Sequence, residues 1–181
     1  MLLRIPSIIL LLCLGFSAHA VQLRVHGNVT DLDTRAPLAG VTVKVYKDGE
    51  RLHPRVTDIT GRYNILLENG AHYVIRFCMP GRVTKCFSVD THGAEWEGDG
   101  KTASLEVEMT LFEAIDGIDL SYFDMPMGMA RFYPLTGQLG WNKDYEARIR
   151  PEVQRLMAEV ATRRANRATM ARNGASAPLH Q

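Results

Sequence analysis

Side chains able to do chemistry are few and scattered in this chain. The string His92-Gly93-Ala94-Glu95 has the H-x-x-E spacing with which a histidine and a glutamate can share a zinc ion. A working zinc site also needs a third ligand, an open coordination position and a surrounding wall of protein, which a surface loop does not offer, so His92 reads as a solvated loop histidine. Glu95, Glu97 and Asp99 bring together the carboxylates a calcium ion prefers, but not at the spacing of an EF-hand loop, and glycine-punctuated acidic loops are common without metal. There is no G-x-S-x-G, no phosphate-cradling G-x-x-x-x-G-K and no dinucleotide fingerprint. No catalytic residue, metal or cofactor is expected.

Two groups remain as candidate binding residues. Trp96, Tyr133 and Trp141 belong to an aromatic concentration with Tyr122, Phe123 and Phe132 that could stack on sugar rings, although aromatics at hairpin spacing also serve as packing. Arg163, Arg164 and Arg167 form a basic cluster near the C-terminus. From Asp90 to Asp124 ten acids face Lys101 alone, whereas eight bases and four acids follow from Asn142 onward. Either the basic segment docks near those acids and is neutralised, or it meets an anionic partner such as lipid headgroups or acidic polysaccharide. A formal charge of +1 and the lack of a reading motif argue against nucleic acid.

These residues must be held by something, and the composition says what kind of chain holds them. It has 181 residues, 46% hydrophobic and 23% charged, with a mean hydropathy of −0.11, which is ordinary globular usage. Arg4 precedes an apolar run from Ile8 to Leu14, and Ala18-His19-Ala20 supplies the small-x-small pattern of a signal peptidase site. Residues 1–20 are therefore expected to be a signal peptide cleaved after Ala20, giving a periplasmic or secreted protein with no transmembrane segment. Cleavage removes Cys13 and leaves Cys78 and Cys86 in an oxidising compartment, where a disulfide becomes plausible.

From Val21 to Leu111 short alternating runs are punctuated by turn residues. Leu23, Val25 and Val29 alternate, then Val41, Val43 and Val45, a weaker run near Val56, Tyr63 with Ile65, and Tyr73, Ile75 and Phe77. After Pro80-Gly81, Val83, Phe87 and Val89 return on one parity, and Leu105, Val107, Met109 and Leu111 close the series. About seven strands in ninety residues suit a two-layer antiparallel sandwich. Cys78 and Cys86 both point outward by parity. A tight turn sets Cys78 opposite Thr84 and the cysteines diagonal, whereas a longer one opposes them within bridging range; oxidising export favours the second.

The strings G-N-V-T-D-L-D-T-R-A-P-L-A-G-V-T-V-K-V, V-T-D-I-T-G-R-Y-N-I and Y-V-I-R-F-C-M-P-G-R-V-T-K-C-F-S-V-D-T resemble the carboxypeptidase regulatory-like domain over about residues 22–111. The resemblance implies a seven-stranded transthyretin-like sandwich. Its hallmarks are turn glycines and core positions, which specify fold and not chemistry. In that family the module accompanies metallocarboxypeptidases, precedes outer-membrane receptor barrels or occurs alone in exported proteins, so the resemblance implies an exported accessory or binding module. The transthyretin-like fold also carries hydroxyisourate hydrolase, whose basic residues His26 and Arg62 loosely resemble. That reading requires the two to share a pocket with a further polar group, and the family's terminal tyrosine-arginine-glycine-serine signature is absent.

Beyond the sandwich of residues 21–112, residues 113–142 read as an acidic connector and an appended hairpin turning at Pro134 to Gly137. Residues 143–172 read as a helix with Tyr145, Ile149, Val153, Leu156, Met157 and Val160 on one face, kinked or restarted at Pro151. Residues 173–181 are expected to be a disordered tail. The resulting expectation is a mainly β, non-enzymatic binding or assembly module of the cell envelope, with an envelope protein or an anionic or carbohydrate surface as partner. The alternatives are sugar binding through the aromatics, or a small hydrolase.

Overall fold

The computed structural model describes residues 22–93, 103–133 and 135–175. The protein is mainly β. Its strands are β1 (Gln22–Asp31), β2 (Thr42–Lys47), β3 (Glu50–Arg51), β4 (Arg55–Val56), β5 (Arg62–Glu68), β6 (His72–Cys78), β7 (Lys85–Asp90), β8 (Ala103–Glu106), β9 (Met109–Leu111), β10 (Pro126–Tyr133) and β11 (Gln138–Trp141); one helix, α1 (Lys143–Ala175), follows. The long strands coincide with the alternating runs because each presents β-branched and aromatic residues to one side and polar residues to the other.

A smaller sheet runs β5-β1-β8, with β9 continuing beside β1, and a larger sheet runs β11-β10-β7-β6-β2-β3, with β4 beside β2. Leu23, Val25 and Ile65 from the first sheet and Val43, Ile75 and Phe87 from the second belong to one buried apolar cluster. Across it the Tyr63 and Phe77 rings meet edge to face at 5.0 Å. Gly27 sets the break between β8 and β9: a Cβ there would lie 2.0 Å from the Val107 carbonyl oxygen. Bare backbone lets Val107 close onto β1, where its N–H donates to the His26 carbonyl at 2.8 Å and its own carbonyl accepts the Tyr63 hydroxyl at 2.7 Å.

Four features differ from the sequence reading. The pairing is not wholly antiparallel, since β1 pairs in parallel with β8 and β9, and β7 with β10. A parallel neighbour requires a long crossover, and the connections between those strands supply one. The hairpin is not an appendage either: through β10 it extends the larger sheet, with Tyr133 opposite Gln138 and Ala130 opposite Trp141.

The β6–β7 register pairs Arg76 with Cys86 and Phe77 with Lys85, which is the tighter of the two alternatives, and both cysteines are free. The Met79 carbonyl accepts the Arg82 N–H at 3.1 Å, and Gly81 takes the positive φ of 76° that a sharp Pro-Gly turn demands. Finally, α1 runs unbroken through Pro151 and three residues past Arg172. Pro151 and Ala147 both lie on the exposed side, where solvent satisfies the carbonyl that proline leaves without a donor.

Candidate functional site

The helix packs against β10. Asn142 caps it, accepting the Tyr145 N–H at 3.0 Å, and the Tyr145 hydroxyl donates to the Pro126 carbonyl at 2.7 Å. Leu156 and Val160 bury against Val83, Phe112, Ile115 and Phe123 in a second apolar cluster. Between this helix and the strands lies a cleft of about 530 Å³, walled by β9, β7, β10 and β11 residues that include Met109, Phe87, Met127 and Trp141, and roofed by Ile149, Val153 and Met157. That volume falls within the range of small-molecule sites.

Lys85 is the exceptional group in this lining. By strand alternation it shares the face of β7 with Phe87 and Val89, and it is 9% exposed. Its Nζ lies 5.0 Å from the Phe112 ring centroid and 5.5 Å from that of Phe123. Burial pulls its pKa down to about 8. Among the described residues no carboxylate bonds the amine, and the rings of Phe112 and Phe123 are the groups that flank it.

A second, polar recess of about 400 Å³ lies on the outer face of the smaller sheet. His26 and Arg62 both line it, together with Arg24, Asn64 and Glu106. His26 Nε2 is 2.8 Å from Ser104 Oγ, and Arg24 Nε donates to Asn64 Oδ1 at 3.1 Å. The structure therefore brings His26 and Arg62 together with further polar groups.

The other candidate residues are not assembled into one site. Ala20 and Trp96 lie outside the described residues, as do Glu95, Glu97 and Asp99. Trp141 packs edge to face on Phe87 at 6.1 Å and presses against Gly128, whereas Tyr133 occupies the opposite face of the β10–β11 pair under the Arg131 guanidinium. Arg164 grips both carboxylate oxygens of Asp33 at 2.6 Å, Arg167 stands 4.0 Å from Asp116, and Arg163 lies against Gly117. Cys86 is buried, its Sγ–H donating to the Asp124 carbonyl at 3.3 Å, and burial pushes its thiol up to about 11; Cys78 is half-buried. His92 Nδ1 meets Asp90 at 2.7 Å. Among the described residues no three His, Cys, Asp or Glu side chains cluster as a metal site.

Lys85 and Ser104 were not singled out in the sequence, although a signal existed for the first. In V-T-K-C-F-S-V, Lys85 occupies the inward parity between Val83 and Phe87, where a charged residue is out of place. Ser104 sits on the outward parity of β8 beside Leu105, where serine is unremarkable.

No protein-family profile matches the chain, and no curated protein matches it. Among solved structures it is similar to the 3-chlorocatechol 1,2-dioxygenase of Rhodococcus opacus 1CP, at 15% identity and a TM-score of 0.41, over 52% of this chain and 61% of that one. The Bacillus anthracis TIE protein matches at 16% identity and a TM-score of 0.41, over 52% of this chain and 18% of that one. Catechol 1,2-dioxygenase from Acinetobacter sp. ADP1 matches at 16% identity and a TM-score of 0.40, over 58% and 57% respectively. Similarity this distant assigns neither a chemistry nor a fold family.

Proposed function

We propose that this protein is an exported, non-enzymatic binding module of the cell envelope, built as a transthyretin-like β-sandwich of the carboxypeptidase regulatory-like kind, whose ligand occupies the cleft beneath α1. The sandwich reading is supported by the shared apolar core of the two sheets, and the export reading by residues 1–20. No helix among the described residues is long and apolar enough to cross a membrane. The observation that carries the binding reading is the cleft itself, an apolar space of about 530 Å³ that the helix stripe covers without filling. A sugar platform is less well supported, because Tyr133 and Trp141 stand on opposite faces, and an anionic surface competes with Asp33 for Arg164.

The test is uptake of a neutral apolar fluorophore, N-phenyl-1-naphthylamine. Saturable binding is expected in the intact protein and should be lost in Val153→Trp and Met157→Trp, which fill the cleft, with folding checked by thermal melting. Absence of saturable uptake by the folded protein overturns the reading. Export is tested by the N-terminal residue of the native protein, expected to be Val21.

A second reading is favoured by the recess that His26 and Arg62 share and by the contact of His26 with Ser104, which does not itself line the recess: a small hydrolase in which His26 takes the serine proton. It predicts turnover of an activated ester that is lost in both His26→Ala and Ser104→Ala, and that filling the helix cleft leaves unchanged.

A further inference from the structure

The cleft under α1 is walled mainly by apolar side chains, yet Lys85 is part of its lining. A buried ammonium is ordinarily paired, because removing it from water costs several kcal/mol unless an anion or hydrogen-bond acceptors replace the solvent. The neighbouring cation shows the usual solution: Arg164 lies 5.8 Å from the same Phe112 ring but is neutralised by Asp33. Lys85 has the ring faces of Phe112 and Phe123 and no carboxylate. The charged residues of the cleft lining are Glu108, Glu146 and Arg150, of which Glu146 is engaged by Lys143 at 3.2 Å and none bonds Lys85.

We infer that the cleft binds an amphipathic monocarboxylate, its head group bonded to Lys85 Nζ and its hydrocarbon body lying along Phe87, Met109, Met127, Val153 and Met157. This rests on the reading of the cleft as the ligand site and adds the chemistry of the ligand. Three arguments support the choice. One amine balances one negative charge, which suits a carboxylate better than a phosphate dianion. The ammonium donates three hydrogens and accepts none, so a neutral alcohol or amide leaves its charge uncompensated. Methionine-rich walls are unbranched and deformable, and accommodate a flexible chain better than they select a rigid ring.

The experiment compares dodecanoate, 1-dodecanol, dodecyl phosphate and dodecyltrimethylammonium, each below its micelle concentration, as displacers of N-phenyl-1-naphthylamine from the intact protein. Wild type is expected to prefer dodecanoate over dodecanol by tenfold or more. Lys85→Met, which keeps the length and apolar body of the side chain, should bind dodecanol as wild type does and lose the preference, whereas Lys85→Arg should retain it. Equal binding of dodecanoate and dodecanol by wild type overturns the head-group assignment while leaving the cleft reading intact, and needs no variant to fold. Tighter binding of dodecyl phosphate overturns the carboxylate in favour of a lipid-type phosphate. Failure to bind the fluorophore or any amphiphile overturns the cleft reading itself.

Discussion

Arg164 and Asp33, 131 residues apart in the chain, are joined by two contacts of 2.6 Å that fasten the far half of the helix to the turn after β1. Both side chains retain solvent access, at 29% and 55% exposure, so the pair is screened. Arg164→Gln is expected to cost roughly 0.2 to 1 kcal/mol. Urea denaturation at low salt should show the loss, and at 1 M sodium chloride the variant and wild type should converge.

Leu156 is the anchor of the helix, at 2% exposure in the cluster with Phe112 and Phe123. Leu156→Ala removes its contacts and leaves a void among Val83, Phe112, Ile115 and Phe123, at a cost of about 2 to 5 kcal/mol. Chemical denaturation reads this directly, and a loss below 1 kcal/mol would show that the helix is not packed as described.

Asp31 is buried at the end of β1, where it accepts the Thr34 N–H at 2.8 Å and the Asp33 N–H at 3.0 Å and is ion-paired with Arg82. These donors hold its carboxyl far below the usual carboxylate range. A group whose folded pKa is depressed stabilises above its unfolded value, near 3.9, and loses that contribution as the pH falls below it. Asp31→Asn should therefore lower stability by roughly 1.5 to 3 kcal/mol at pH 7 and flatten the decline of stability below about pH 4. Melting curves between pH 2 and 7 measure both effects.

In the tight β6–β7 register Cys78 and Cys86 are diagonal neighbours, a geometry that places the backbones roughly 7 to 8 Å apart, beyond easy bridging. Two labelled thiols per chain are expected when the unreduced mature protein is unfolded. In the native state Cys78 should react with iodoacetamide well before Cys86, whose raised pKa and burial disfavour the thiolate.

Gly27→Ala would drive a methyl group into the Val107 carbonyl, which β1, Tyr63 and β8 all hold in place. The substitution should cost more than 2 kcal/mol, since the clash is with backbone. Gly49→Ala is the control for local backbone effects: its Cβ would meet nothing within 4 Å, and only the positive φ of 89° opposes it.

The strands were legible because Val25, Ile65 and Ile75 lie on two-residue periods, and the helix because Ile149, Leu156 and Val160 lie on a period of 3.6. Which strands pair was not, since alternation fixes the face of a residue and says nothing about its neighbour across the ladder. Hence the parallel partners of β1 and the union of β10 with β7 had to be seen. The site fared similarly. Trp141 stands out in the sequence but its partner Phe87 does not, because a cleft is made by elements that the chain brings together from afar.

The parallel partners of β1 also bear on the order of events as the chain acquires structure. The end of the first strand folds back on residues 36–38 through a bridge of Thr30 with Pro37, but its full-length neighbours are residues 62–68 on one edge and 103–111 on the other. Contacts across such spans close large loops before they yield any gain, so folding should be slow for the chain's length and should begin in the β6–β7 hairpin. Until Leu111 is in place, the Leu32 N–H that donates to its carbonyl at 2.8 Å belongs to an unsatisfied ladder edge open to any other chain that passes. Production of this protein should therefore be limited by self-association of late-folding molecules, and slowing synthesis or adding a holdase chaperone should raise the yield more than any substitution that tightens the core.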